Sequence, residues 1–203
     1  MCDSHAAEES PVIDLADFAL RPVRTEDSVR MLRWRNDERI RAQMYTDHPI
    51  SQEEHTAWFA RMLQDNGRDY RIAERRGRPI GVVALTAIDE RSRRASWAFY
   101  VGEREVPPGC GAAMEYLALE HAFGARGLHK LCCEVLVSNV RVIKQHKRFG
   151  FRQEGLLVDQ VTKNGRYEDV VLLAMFEADW PSVRENLLTK LFGRHEVRKG
   201  EDG

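Results

Sequence analysis

Three short stretches of this chain carry residue types that could do chemistry. The first is Glu134, set within Leu131-Cys132-Cys133-Glu134-Val135-Leu136-Val137, where every neighbour is apolar. A carboxylate is seldom buried in such a run without a partner. Burial there would strengthen it as a proton acceptor, as a general base requires; the alternative is a structural pairing with one of the chain's many arginines. The second is His146, in a segment that also holds Arg141, Lys144, Lys147 and Arg148. An imidazole can give or take a proton near neutrality, or it can be one more surface residue of a basic helix. The basic run itself is either a solvated face or a patch that meets phosphates. The third is Val106-Pro107-Pro108-Gly109-Cys110-Gly111-Ala112, just ahead of an amphipathic segment. Two glycines before a helix let successive N–H groups converge on an anion, and the helix dipole adds to the attraction. A tight turn that needs glycine only for its backbone angles is the alternative. No Lys-Ser/Thr follows, so this is not a Walker loop.

The elements that must position these groups alternate along the chain. Phe18–Val23 reads as a strand, followed by a helix capped by Thr25 and carrying Val29 and Leu32, then a short helix leading through Ile40 to Met44 and Tyr45. Ser51-Gln52-Glu53-Glu54 has the form of a capping box. His55, Trp58, Phe59, Met62 and Leu63 behind it mark one apolar helical face, closed by Gly67. Three strands of a meander follow, Tyr70–Glu74, Pro79–Thr86 and Ala95–Val101. The second half reads as helix Gly111–Phe123, strand Lys130–Val137 and helix Asn139–Arg148, then strands Arg152–Lys163 and Arg166–Phe176 joined by Asn164-Gly165, a strong hairpin signal. The expectation is an α/β domain with a mixed sheet of about seven strands and helices on both faces. It spans residues 18–177, after a flexible acidic leader at 1–17 and before a C-terminal helix and charged tail at 178–203. The apolar stripe of Asp179–Phe192 is expected to pack on a neighbour, as in a homodimer.

Composition narrows the function. Lysine and arginine number 31 against 32 acids, which lacks the positive excess of a dedicated nucleic-acid binder. The longest apolar run, Val170–Phe176, is far below the ~20 residues of a membrane span. The first 17 residues hold five acids and no Lys or Arg, the opposite of a secretory signal. The four cysteines form no CxxC pair, so reduced thiols, no metal site and a cytoplasmic location are expected.

The segment Ser138-Asn139-Val140-Arg141-Val142-Ile143-Lys144-Gln145-His146-Lys147-Arg148-Phe149-Gly150-Phe151 resembles the Asn-x-x-Ala…Tyr-x-x-x-Gly-Phe signature of the GNAT superfamily of N-acetyltransferases. The upstream glycine loop is similar to that family's Arg/Gln-x-x-Gly-x-Gly/Ala acetyl-CoA loop. The resemblance covers residues 18 to 177. It implies a sheet whose strands ending near Val101 and beginning near Leu131 splay apart to hold acetyl-CoA. The coenzyme contacts it implies are Tyr100, Val101, Val106, Gly109, Cys110, Gly111, Ala112, Asn139, Lys144 and Lys147. Two departures stand out. Val106 replaces the loop's Arg or Gln, and His146 replaces the tyrosine that protonates the leaving thiolate.

The acetyl acceptor is set by the first third of the chain. Residues 21–41 hold seven arginines against four acids, and arginine forks suit phosphate oxygens. Leu32-Arg33-Trp34-Arg35-Asn36, Gln43-Met44-Tyr45 and His48-Pro49-Ile50-Ser51 through Phe59 resemble the acetyltransferases of pseudaminic acid biosynthesis, a pathway that serves flagellin glycosylation. Those enzymes acetylate the 4-amino group of UDP-4-amino-4,6-dideoxy-N-acetyl-β-L-altrosamine. The resemblance implies that Arg35, Asn36, Met44, Tyr45, His48 and Phe59 bind this sugar nucleotide, with an apolar wall around the 6-deoxy methyl group and Tyr100 a looser member of it. It also makes Glu134 the base and His146 the acid, at the family's interval of twelve residues. An N-terminal acetyltransferase of ribosomal proteins shares the Arg21-Pro22 start, and a non-catalytic acyl-CoA-binding module is the alternative outside enzymes.

Overall fold

A computed structural model describes residues 13–192; most of the acidic leader, Cys2 and the tail from residue 193 lie outside the described residues. The strands are β1 (Phe18–Pro22), β2 (Asp69–Arg75), β3 (Arg78–Asp89), β4 (Arg94–Val101), β5 (Lys130–Leu136), β6 (Arg152–Lys163) and β7 (Arg166–Phe176). They form one seven-stranded sheet in the order β1-β2-β3-β4-β5-β7-β6. Every pairing is antiparallel except β4 with β5, which is parallel. Strand alternation sorts the apolar side chains between two cores. Val83 and Leu85 of β3 join the large cluster under α4 (Cys110–Leu119), α5 (Val140–Arg148) and α6 (Trp180–Leu191). Val82 joins a smaller one under α1 (Ser28–Asn36), α2 (Glu38–Arg41) and α3 (Gln52–Gln64). Helices therefore cover both faces, as expected.

Several local expectations are corrected. Thr25 does not cap α1: it opens a 3-10 turn. The entry to the helix is fixed instead by buried Asp27, which accepts both arms of the Arg21 fork at 2.7 and 2.9 Å and the Arg24 N–H at 2.8 Å. Ser51 does cap α3 through the Glu54 N–H, but the Glu54 carboxylate turns to His48 rather than back to the cap. Asp65, not Gly67, ends α3. The helix after Asp37 stops at Arg41, which leaves Met44 and Tyr45 in the following turn. The apolar stripe of α6 does not wait for a neighbour, because Trp180, Leu187 and Phe192 are buried in the large core of this same chain. Among the described residues no helix is long and apolar enough to cross a membrane, and no group of three or more His, Cys, Asp or Glu could hold a metal ion.

Candidate active site

The site begins where the sheet comes apart. β4 and β5 are paired only at Arg94–Lys130, Ala95–Leu131 and Ser96–Cys132, yet β4 continues to Val101 and β5 to Leu136. Beyond Ser96 the two strands diverge and leave a V-shaped opening. Gly102 N–H donates to Ile80 O, so by antiparallel alternation the N–H groups of Phe99 and Val101 turn toward the β5 side, past its last paired residue. Next along the chain is the glycine loop. Gly109 holds φ +93°, and a Cβ there would strike Ile13 at 2.5 Å, so the fold itself demands this glycine. Gly111 differs: a Cβ would meet nothing closer than 3.8 Å, from Gln145, Phe99 and Val101. Its small size serves no packing need. It keeps space open at the N-terminus of α4, where the intrahelical ladder starts with Ala113 N–H to Gly109 O and the N–H groups of Gly111 and Ala112 precede it. Such a rim fits a pyrophosphate. Val106 packs on the large core, and buried Cys110 sits in the first turn. Lys144 and Lys147 stand on the exposed face of α5, whose N-cap is Asn139.

Glu134 and His146 lie on opposite faces of the sheet. Glu134 is exposed, which corrects the expectation of a buried carboxylate: Leu131, Cys133 and Val135 face the large core, and by strand alternation Glu134 points to the opposite face. Its Oε2 accepts the Tyr45 hydroxyl at 2.5 Å. Partial burial and this carboxylate push the Tyr45 phenol well above its ordinary range. His146, far from being a surface histidine, is only 3% exposed. Its ring stands 5.2 Å from Trp97, 6.1 Å from Phe99 and 5.1 Å from Phe151. Trp97 is the first β4 residue beyond the last parallel pair, so the imidazole lies at the apex of the V. Its Nδ1 is 2.7 Å from the Glu115 carboxylate.

The residues expected to bind the acceptor do not share one role. Arg35 is a guanidinium whose Nη1 is buried with no hydrogen-bond partner, flanked by Tyr70 and Tyr100, while burial holds it below the ordinary arginine range. Tyr100 meets Trp34 edge-on at 6.4 Å, and burial raises its phenol as well. Asn36 spends its amide on the backbone of Ile50, accepting at 2.8 Å and donating at 2.9 Å, so its evident role is to clamp the chain and not to meet a ligand. That clamp fixes the loop carrying Met44 and Tyr45. Phe59 is likewise a core residue, 5% exposed, and not a pocket wall. His48 is exposed and 3.4 Å from Glu54.

Two participants went unnoticed in the sequence. The Lys163 ammonium, almost buried, donates to the carbonyls of Arg41 and Met44 and so pins the Met44–Tyr45 turn to the β6–β7 hairpin. Beside it an open hollow of about 900 Å³ is lined by Ala42, Val137, Ser138 and hairpin residues including Arg166 and Asp169. The other is Glu115, whose signal was an acid inside the apolar helix Cys110-Gly-Ala-Ala-Met-Glu-Tyr-Leu.

A parallel strand pair that splays beside a glycine-led helix is the frame of an acyl-CoA-dependent acyltransferase. The chain belongs to the acetyltransferase (GNAT) domain family, whose sequence pattern matches residues 17–152; it is an acetyl-CoA-dependent N-acetyltransferase. Spermidine N(1)-acetyltransferase of Vibrio cholerae serotype O1 is 25% identical over 146 residues, 71% of this chain and 84% of that protein. The Escherichia coli K12 spermidine N(1)-acetyltransferase is 23% identical over 158 residues, 78% and 85% of the two chains. The structure of the Vibrio cholerae spermidine N-acetyltransferase in complex with CoA and spermine has a TM-score of 0.76 at 23% identity, covering 82% of this chain and 99% of that one. A dodecameric structure of the Vibrio cholerae enzyme gives 0.71 at 24% identity over 81% and 96%. These relatives are spermidine acetyltransferases and not enzymes of the pseudaminic acid pathway. The acceptor must therefore be argued from the site.

Proposed function

We propose that the protein transfers acetyl from acetyl-CoA to the 4-amino group of a UDP-linked 4-amino-4,6-dideoxy sugar, UDP-4-amino-4,6-dideoxy-N-acetyl-β-L-altrosamine by resemblance. The observation that carries this reading is Arg35. A largely desolvated guanidinium with an unpartnered nitrogen and no carboxylate in ion-pair reach among the described residues is an expensive feature. It suits an acceptor that brings its own negative charge, such as a diphosphate. In this scheme the thioester lies in the V between β4 and β5, with its pyrophosphate over Gly111 and Ala112. Glu134 takes a proton from the sugar amine, and Tyr45 holds the carboxylate in place. The N–H groups of Phe99 and Val101 face the developing oxyanion, and His146 gives a proton to the thiolate. Met44, half-buried on the smaller core, provides an apolar wall for the 6-deoxy methyl group.

A second reading, acetylation of a polyamine, is favoured by the activity of the relatives. It requires a polycation to sit near Arg35, which costs several kcal/mol at close range unless carboxylates intervene. The test is release of free CoA thiol with three acceptors: the UDP-amino sugar, spermidine, and a peptide beginning with alanine. Turnover is expected with the first at least about 100-fold above the others. Efficient transfer to spermidine with the sugar nucleotide inert would establish the polyamine reading, and peptide acetylation would establish the N-terminal one.

A further inference from the structure

The reading of His146 as the acid leaves unexplained how an imidazole replaces a phenol at this position. The answer lies in a residue outside the motifs. Glu115, on α4, is completely buried, and its two carboxylate oxygens are met by two α5 side chains: Gln145 Nε2 at 2.7 Å and His146 Nδ1 at 2.7 Å. A carboxylate is not left in a protein interior without a compensating charge or proton. Among the described residues no lysine or arginine forms an ion pair with Glu115. From β4 the pair faces Trp97 and Phe99, and from the chain after α5 it faces Phe151. From β5 it faces the Cys133 thiol, which burial and the field of Glu115 hold far above the ordinary thiol range and hence neutral. Among the described residues His146 is the one ion-pair partner that Glu115 meets.

We infer that Glu115 is a positioning residue for acid catalysis: its carboxylate holds His146 through Nδ1–H, compensates the imidazolium, and leaves Nε2–H as the proton delivered to the coenzyme thiolate. This rests on the reading of His146 as the acid. As the tetrahedral intermediate collapses, the C–S bond breaks and its electron pair stays on sulfur. The Nε2 proton moves to that sulfur, giving CoA thiol. The imidazolium becomes neutral imidazole, still bonded to Glu115 through Nδ1–H, and solvent returns the proton. The proton lost by the amine leaves separately through Glu134. A tyrosine delivers a proton as a neutral acid; this pair would do so as a buried ion pair, with a different pH dependence.

The test compares Glu115→Gln and His146→Phe with the wild type in full kcat and KM profiles against pH. Glutamine keeps the shape and can still accept from Nδ1 but does not compensate a cation. Glu115→Gln is therefore expected to move the basic limb of the kcat profile down by about one pH unit or more, with KM for acetyl-CoA within about twofold. His146→Phe should lower kcat and lose that limb altogether. An unmoved limb in Glu115→Gln, beside a slow His146→Phe, would overturn the pairing while leaving His146 as the acid. A normal kcat in His146→Phe would overturn the underlying reading. Nitrogen-15 spectra of wild-type histidines give an answer independent of any variant's folding: Nδ1 of His146 should carry a proton between pH 6 and 8, and an unprotonated Nδ1 would overturn the proposal.

Discussion

At the scale of single residues, the site divides its polar groups by exposure. Glu134 is open to the acceptor side and held by the Tyr45 hydroxyl; Glu115 is sealed under the sheet. Glu134→Gln is nearly isosteric and keeps the Tyr45 contact but accepts no proton, so kcat should fall about 10²–10⁴-fold with little change in KM for acetyl-CoA. Steady-state kinetics at saturating donor checks this, and a near-normal kcat would make Glu134 a bystander. Arg35 gives an outcome of another kind. Replacing an unpaired, desolvated cation with an apolar side chain removes a burial cost, so Arg35→Met should unfold at the same temperature or higher. Its KM for the nucleotide-linked acceptor should rise about 10–100-fold, the worth of one or two hydrogen bonds to a charged group. The free amino sugar should be indifferent to the change. A destabilised variant with unchanged KM would show Arg35 to be structural.

At the scale of elements, the V between β4 and β5 and the α4 N-terminus beside it form one device, and the space over Gly111 is its most sensitive point. Gly111→Glu places a carboxylate where a pyrophosphate would lie. Calorimetry should find acetyl-CoA binding abolished while the fold survives, because a Cβ there meets only ordinary contacts; wild-type affinity would sink the assignment. Much of this was legible in the sequence. The β6–β7 hairpin follows from Asn164-Gly165 and its flanking strands, and the meander from its alternation. What escaped depends on register and on contacts between distant segments. Lys130–Val137 reads as a strand in which Glu134 has only apolar neighbours, but those neighbours, Cys133 and Val135, face the large core and Glu134 points the other way, open to solvent. Phe59 shares its helical stripe with Met62 because both belong to the core. Asn36 and Lys163 fix the Met44–Tyr45 turn from 14 residues and 119 residues away in sequence from their carbonyl partners, which no local pattern announces. Of the two acids set among apolar neighbours, Glu115 is the one that is buried and partnered, while Glu134 is exposed.

At the scale of the whole molecule, the two cores are asymmetric. The α1–α3 face, proposed to hold the acceptor, rests on a small cluster around Trp34 and Phe59, whereas the α4–α5 face rests on a large one that α6 completes. Trp180 lies 5.5 Å from Tyr116 and 6.3 Å from Phe123, and its indole N–H donates to Glu120 at 3.1 Å. Tyr116 and Glu120 belong to α4 and to the wide turn that continues it, so α6 braces the helix that carries the glycine loop. Trp180→Ala removes a buried aromatic and leaves a cavity, a loss of about 3–5 kcal/mol. For a chain of this size that corresponds to a fall in Tm of roughly 6–20 °C. Because the lost contacts lie on the coenzyme side, below the unfolding transition KM for acetyl-CoA should rise before KM for the acceptor does. Thermal unfolding with and without CoA, together with the two KM values at 20 °C, separates these effects. An unchanged Tm would mean that α6 is only docked on the surface, and a rise confined to the acceptor KM would mean that the sheet, not α4, transmits the loss.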